Sequence, residues 1–341
     1  MKKLLEIYFD TEYIFPYMYL ENIQEQYPQY GNSNIYMVML ANKHEILDAE
    51  YINQQLVIKY NCLDLNMDDE ISNIKLFPFD VPNGSVNIKI CDYGTTIEIK
   101  ILDFGIDFIK NNYVDFCNQF DLNRKIKISI YDLINISKQN EETIEVHEVL
   151  YIGQSFDTGK GRNIYDRLSN HEKILKIYRD YNMKYRNKEL VVFLLHPKSK
   201  LHNTHTIPES LNTVILGNSQ WQTTDELGDK ITDATLINVI EAMLIYHLKP
   251  KYNIRFKNSV PNLDLKTYSE LQNAGVHQID LGLNLYFKTY KNHIQLFTDT
   301  TKIYSKLRIL RCFLENLYHK KSESKIEVED IDDEVYQIIN L

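Results

Sequence analysis

Residues 148–155 read EVLYIGQS. An apolar run that ends in Tyr151, Ile152 and Gly153 is a strand that delivers a tyrosine and then a glycine to the loop that leaves it. Working outward, GRNIYDRLSNHEKILKIYRDY (161–181) has the spacing of a basic amphipathic helix, and ELVVFLLH (189–196) is a continuous apolar strand. TDATLINVIEAMLIYHLKPKYN (232–253) follows as a helix, with Thr232 or Asp233 as its cap and Pro250 as its stop. Upstream, KIKISIYDLINI (125–136) reads as a first strand, so 125–255 spells β-β-α-β-α.

Glu241 is the most informative single residue. Between Ala234 and Leu248 it is the one acidic or basic residue besides His247, on a helix apolar nearly all round. A carboxylate there needs compensation, either from a Lys or Arg partner or through work as a metal ligand or catalytic acid. Arg167 and His171, four residues apart, share one helix face above the end of the YIG strand. Asn253 stands just past the last helix.

These elements in this order resemble the GIY-YIG nuclease superfamily over about 125–255. The resemblance rests on YIGQS, on RLSNH beyond it, and on an apolar helix with one Glu running into LKPKYN. It implies a GIY-YIG β-β-α-β-α core at 125–255. The flanks, read from their own residues, complete an α+β fold: 1–120 is a β-rich acidic recognition or regulatory domain, in which VNIKI and TIEIKIL alternate as an antiparallel hairpin, and 256–341 is a helical extension. The resemblance also implies a metal-dependent endonuclease. Glu241 would hold Mg²⁺ or Mn²⁺, and Arg167 would stabilise charge on the phosphate. Tyr131 and Tyr151 would position or deprotonate water with help from His171, and Asn253 would orient the site. Gly153, Ser155, Lys160 and Arg162 lie where the phosphate backbone would be gripped. The first motif departs from the family, since the chain offers SIY (129–131) where Gly-Ile-Tyr is expected, with a long gap to Tyr151.

Composition agrees with a globular protein. The chain has 341 residues, 44% hydrophobic and 25% charged, with 11 Gly and 8 Pro, which excludes collagen-like and disordered classes. No apolar run suits a membrane helix or a signal peptide, so a cytoplasmic location without membrane contact is expected. Cys62, Cys91, Cys117 and Cys312 form no CxxC pair, and four reduced thiols are expected. Residues 1–120 hold 8 Lys and Arg against 18 Asp and Glu, whereas 158–200 holds eleven against Asp166, Glu172, Asp180 and Glu189. The basic segment attracts polyanions and the acidic third repels them.

The expected partner is therefore DNA, with RNA left open, and self-association or a protein partner through 1–120 or 256–341. Flanking regions around such a block suit bacterial restriction or anti-phage defence, with repair or mobile-element nucleases as the alternative. The other class of reading is a catalytically inactive nucleic-acid-binding or adaptor protein. Two weaker patterns are Asp80 with Glu98 and Lys100, a restriction-enzyme arrangement that any alternating hairpin can imitate, and the cluster His196, His202 and His205. The segment 198–231, with Trp221, reads as a long functional loop. TKIYSKLRILRCFLENLYHKK (301–321) reads as a helix.

Overall fold

The structure is a computed structural model. It describes residues 3–63, 69–113, 123, 125–137, 143–155, 163–182, 184–203, 231–257, 265–287, 292–314 and 326–331. The strands are β1 (Lys3–Pro16), β2 (Ile35–Asn42), β3 (His44–Ile52), β4 (Gln55–Cys62), β5 (Glu70–Ile74), β6 (Val86–Cys91), β7 (Thr96–Ile101), β8 (Ile126–Ser129), β9 (Thr143–Gln154), β10 (Lys188–Asn203), β11 (Val276–Asn284), β12 (Tyr286–Phe287), β13 (Asn292–Phe297), β14 (Lys302–Ile303), β15 (Leu307–Phe313) and β16 (Glu327–Ile331). The helices are α1 (Leu20–Gln26), α2 (Asp103–Asn112), α3 (Ile130–Ser137), α4 (Ile164–Ser169), α5 (Glu172–Asn182), α6 (Asp233–Leu248) and α7 (Leu265–Asn273).

Ten strands form one mixed sheet in the order β12-β13-β9-β2-β10-β1-β11-β15-β16, with β14 paired to β13. Pairings β1/β11 and β9/β13 are parallel and the others antiparallel. Two three-stranded sheets, β3-β4-β5 and β6-β7-β8, stand beside it. All of the latter two arise from the chain between β2 and β9, so a long excursion separates two strands that are hydrogen-bonded neighbours.

Both faces of β2 are covered. Ile35, Met37 and Met39 belong to one core cluster with Ile237, Ile240 and Leu244 of α6, while Tyr36, Val38 and Leu40 belong to a second with Leu168 of α4 and Ile174 and Ile177 of α5. That is why IYMVML is apolar without alternation: a strand covered on both sides has no solvent face to mark with polar residues. α6 is likewise buried almost all round. Its Thr232 hydroxyl accepts from Thr235 N at 3.3 Å, and it ends where Lys249 turns left-handed at φ 50°, just before Pro250.

The expected fold class is overturned. The chain is mostly β around a large mixed sheet, and no small α+β GIY-YIG core with a helical extension stands apart. Strands from 1–120, 125–255 and 256–341 alternate within the same sheet, since β1 and β2 flank β10 and β13 pairs with β9. Three local readings changed with it. SIYD is not a strand motif but a helix start: Ser129 Oγ accepts from Asp132 N at 3.1 Å and donates to Asp132 Oδ2 at 2.8 Å, a reciprocal cap that opens α3.

The expected C-terminal helix is strand at Lys302–Ile303 and Leu307–Phe313. Arg308 and Arg311, three apart as on a helix, each meet an aspartate directly across the ladder, Asp330 at 2.6 Å and Asp280 at 3.0 Å. The helix read over 161–181 is two, α4 and α5, broken at Asn170 and His171. The hairpin read at VNIKI and TIEIKIL is present as β6/β7, turning through Asp92–Gly94. Trp221 and most of the 198–231 segment lie outside the described residues. No helix among the described residues is long and apolar enough to cross a membrane.

Candidate active site

The site begins where β2 and β9 meet, with Tyr36 opposite Gly153. A Cβ on Gly153 would sit 2.5 Å from both Cζ and Oη of Tyr36 and 2.9 Å from Cε1 of Tyr151. Glycine is required here by close approach, because no side chain fits between two tyrosines whose ring centroids lie 6.2 Å apart. Tyr36 is fully buried, and its hydroxyl has no hydrogen bond of good geometry among the described residues, although Arg167 and Tyr151 lie close enough to act on it electrostatically.

Strand β13 pairs with β9 only as far as Glu148. Beyond that point the strand edge is completed by the segment after α6: Tyr252 N donates to Leu150 O at 3.0 Å, and Asn253 clamps Ile152 from both sides. Its Oδ1 accepts from Ile152 N at 2.9 Å and its Nδ2 donates to Ile152 O at 2.8 Å. Without that amide, two buried backbone groups would be left unsatisfied.

α4 carries Arg167. Asn163 and Asp166 form its capping box, with Asp166 N donating to Asn163 Oδ1 at 3.0 Å and Asn163 N to Asp166 Oδ2 at 3.2 Å. His171 follows the break before α5, and its Nε2 is 3.4 Å from Tyr151 Oη. The Lys173 ammonium lies 5.5 Å from the centroid of the Tyr151 ring. Burial, reinforced by Arg167 and Lys173, holds the His171 pKa below the usual imidazole value, so it is neutral at pH 7 and able to take a proton. Burial pushes both tyrosine hydroxyls up, Tyr36 further than Tyr151; Glu241 adds to both rises and Arg167 opposes them. They are therefore protonated at neutral pH and suit positioning water rather than deprotonating it as free tyrosinates.

Glu241, half-buried on α6, is pushed up to about 7 by burial, with Arg167, Arg255 and Lys173 pulling the other way. Among the described residues no three His, Cys, Asp or Glu cluster as a closed metal cage. A lone hard carboxylate fits Mg²⁺ in its usual mode, in which one or two protein carboxylates share the ion with water and a substrate phosphate.

Six sequence-predicted residues thus meet: Tyr151, Gly153, Arg167, His171, Glu241 and Asn253. Ser155 is buried at the end of β9, its N–H donating to Asn34 O at 2.8 Å and its carbonyl accepting from Asn34 Nδ2 at 3.3 Å. It pins the two strands together. Lys160 and Arg162 lie outside the described residues. Tyr131 is elsewhere: it sits on α3 and donates to Asn42 O at 3.1 Å, beside Glu189. The tyrosine beside Tyr151 is instead Tyr36, from the sequence Asn34-Ile35-Tyr36, which the chain separates from the YIG strand by more than a hundred residues. Lys173 and Arg255 were also missed, being surface-type residues in sequence. Of the weaker patterns, Glu98 is paired with Lys125 at 2.9 Å and His196 Nδ1 contacts Asn32 O at 3.1 Å, while His205 lies outside the described residues.

The chain matches no family model, no curated protein and no solved structure.

Proposed function

We propose that the chain is a divalent-metal-dependent endonuclease that hydrolyses DNA phosphodiester bonds, with a site of the GIY-YIG type built into a much larger sheet. The observation that carries this reading is the meeting of Tyr36, Tyr151, Arg167, His171 and Glu241, drawn from four separate elements, around a glycine that leaves room for both tyrosines. A structural ion pair would need only Arg167 and Glu241.

In this reading Tyr151 donates to His171 Nε2 and accepts a hydrogen bond from the attacking water. As the water oxygen bonds to phosphorus, its proton passes through the Tyr151 hydroxyl to neutral His171. The P–O3′ bond breaks, leaving a 5′-phosphate and a 3′-hydroxyl whose proton comes from solvent. Arg167, planar and always charged, binds the equatorial oxygens as charge builds up on them. Glu241 would hold Mg²⁺, which when bound would supply Lewis-acid neutralisation of charge on the phosphate. Arg167, Arg255 and Lys173 oppose the rise that burial imposes on Glu241, and the last two draw the polyanion inward. Restriction or anti-phage defence within the cytoplasm is the role that goes with this reading.

The test is plasmid nicking by the full chain with Mg²⁺ or Mn²⁺, with and without EDTA. Metal-dependent cleavage that Glu241→Gln abolishes supports the reading. Metal-independent cleavage, or none by a folded wild-type protein with either ion, overturns it.

A further inference from the structure

A cavity of about 260 Å³ lies away from this site, between α5, the start of β10 and the Asp92–Gly94 turn of the excursion. Lys43, Arg186 and Lys188 line it, together with Tyr178, Tyr181, Met18, Leu40 and Leu190, the polar groups of Asp92 and Thr95, and Glu189. Lys43 acts on the Glu189 carboxyl, Lys188 Nζ donates to Asn42 Oδ1, Arg186 is exposed, and Asp92 lies 4.0 Å from Lys127. Both Glu189 carboxylate oxygens are shielded from solvent and lack a hydrogen bond of good geometry.

Such a lining has two halves. Three cations around one small space form a built anion site, and Arg186 offers the fork that matches a phosphate. The other half is aromatic and apolar: Tyr178 is braced against Tyr17 at 5.5 Å between centroids, and Tyr181 is stacked on Tyr185 at 5.5 Å. A flat ring fits against such a wall, with Asp92 offering an acceptor to its amino or hydroxyl groups. The volume is near the lower end of ligand pockets, on the order of 300 Å³, so one nucleotide unit fits and a polymer does not.

We propose that this cavity binds a nucleoside monophosphate or a ligand of that chemistry, phosphate on Lys43, Arg186 and Lys188 and base against Tyr178 and Tyr181. The ligand joins the excursion to α5, and α5 begins next to His171 and carries Lys173. The binding step itself does not depend on the nuclease reading.

The experiment is calorimetric titration of the full chain with AMP, inorganic phosphate and adenosine, each separately. Saturable AMP binding is expected, tighter than either fragment, weakened at least about tenfold by Arg186→Ala and by Lys43→Ala, and unchanged by Arg167→Ala. Both variants alter exposed or half-exposed side chains, and circular dichroism checks that they fold. Absence of saturation in the wild-type protein overturns the proposal. So does binding that Arg167→Ala removes and Arg186→Ala does not, because that places the nucleotide at the active site. Loss of nicking activity in the earlier test, with AMP binding intact, would sink the nuclease alone.

Discussion

Gly153 on β9 faces Tyr36 on β2 so closely that a single methyl group on the glycine would fall 2.5 Å from the tyrosine hydroxyl. The glycine therefore sets the position of an aromatic ring that is distant in sequence, and the pair is the hinge of the candidate site. Gly153→Ala is expected to destabilise the protein by about 1–3 kcal/mol through overpacking and to lower nicking by displacing Tyr36. Urea unfolding and a nicking assay measure the two effects, and an unchanged midpoint would show that Tyr36 yields freely.

Two tyrosines compete for the role of first-motif residue, and their surroundings separate them. Tyr36→Phe removes a hydroxyl beside Arg167 and Tyr151 and should reduce turnover by on the order of 10²-fold. Tyr131→Phe removes a bond to Asn42 O on the far part of the sheet, so turnover should stay near wild type while stability drops by about 1 kcal/mol. Single-turnover cleavage by each variant decides between them, and the reverse ranking would restore Tyr131.

For Arg167 the expected signature is a loss in rate without an equal loss in affinity. Arg167→Ala should lower turnover by at least on the order of 10²-fold and weaken DNA binding far less, with Lys a poor replacement because it lacks the planar fork. Equal losses would make the residue a backbone contact.

Glu241 gives a dependence on pH whose sign follows from burial. Its folded value, about 7, lies above the unfolded carboxylate value of roughly 4.3, so the folded state prefers the protonated form. Stability from this group is thus present in acid and lost as pH rises through 7. Thermal denaturation should find Glu241→Gln more stable than wild type at pH 8, with the difference shrinking towards pH 4. Cleavage should rise over the same interval as the carboxylate ionises, and a flat rate between pH 6 and 8 would count against a direct role.

The sheet order bears on truncation. β1 and β2 lie on either side of β10, and β2 stands between β10 and β9. A chain that begins at Asn123 should fail to fold, with no cooperative melt and no salt-sensitive DNA binding, whereas a folded fragment would mean that β9 and β10 can close on each other.

Local chemistry was enough to mark the YIG strand, the paired Arg167 and His171, the lone carboxylate of α6 and the β6/β7 hairpin, because each is carried by residues close together in sequence. A buried carboxylate is visible in sequence as soon as its helix is seen to be apolar all round. The partner of the YIG strand was not visible. β2 is covered on both faces and reads as a generic apolar run, and the excursion of three-stranded sheets hides the fact that Tyr36 is its neighbour. SIYD looked like the missing motif, although Ser129 and Asp132 already form the reciprocal cap of a helix. The segment LRILRCF placed its arginines at helical spacing, and only the aspartates across the ladder, Asp280 and Asp330, made it a strand. Side-chain type and short spacing are properties of the chain itself. Strand pairing is not, since a backbone donor carries no label for its acceptor, and the choice among apolar runs falls to whichever packing buries both faces at once.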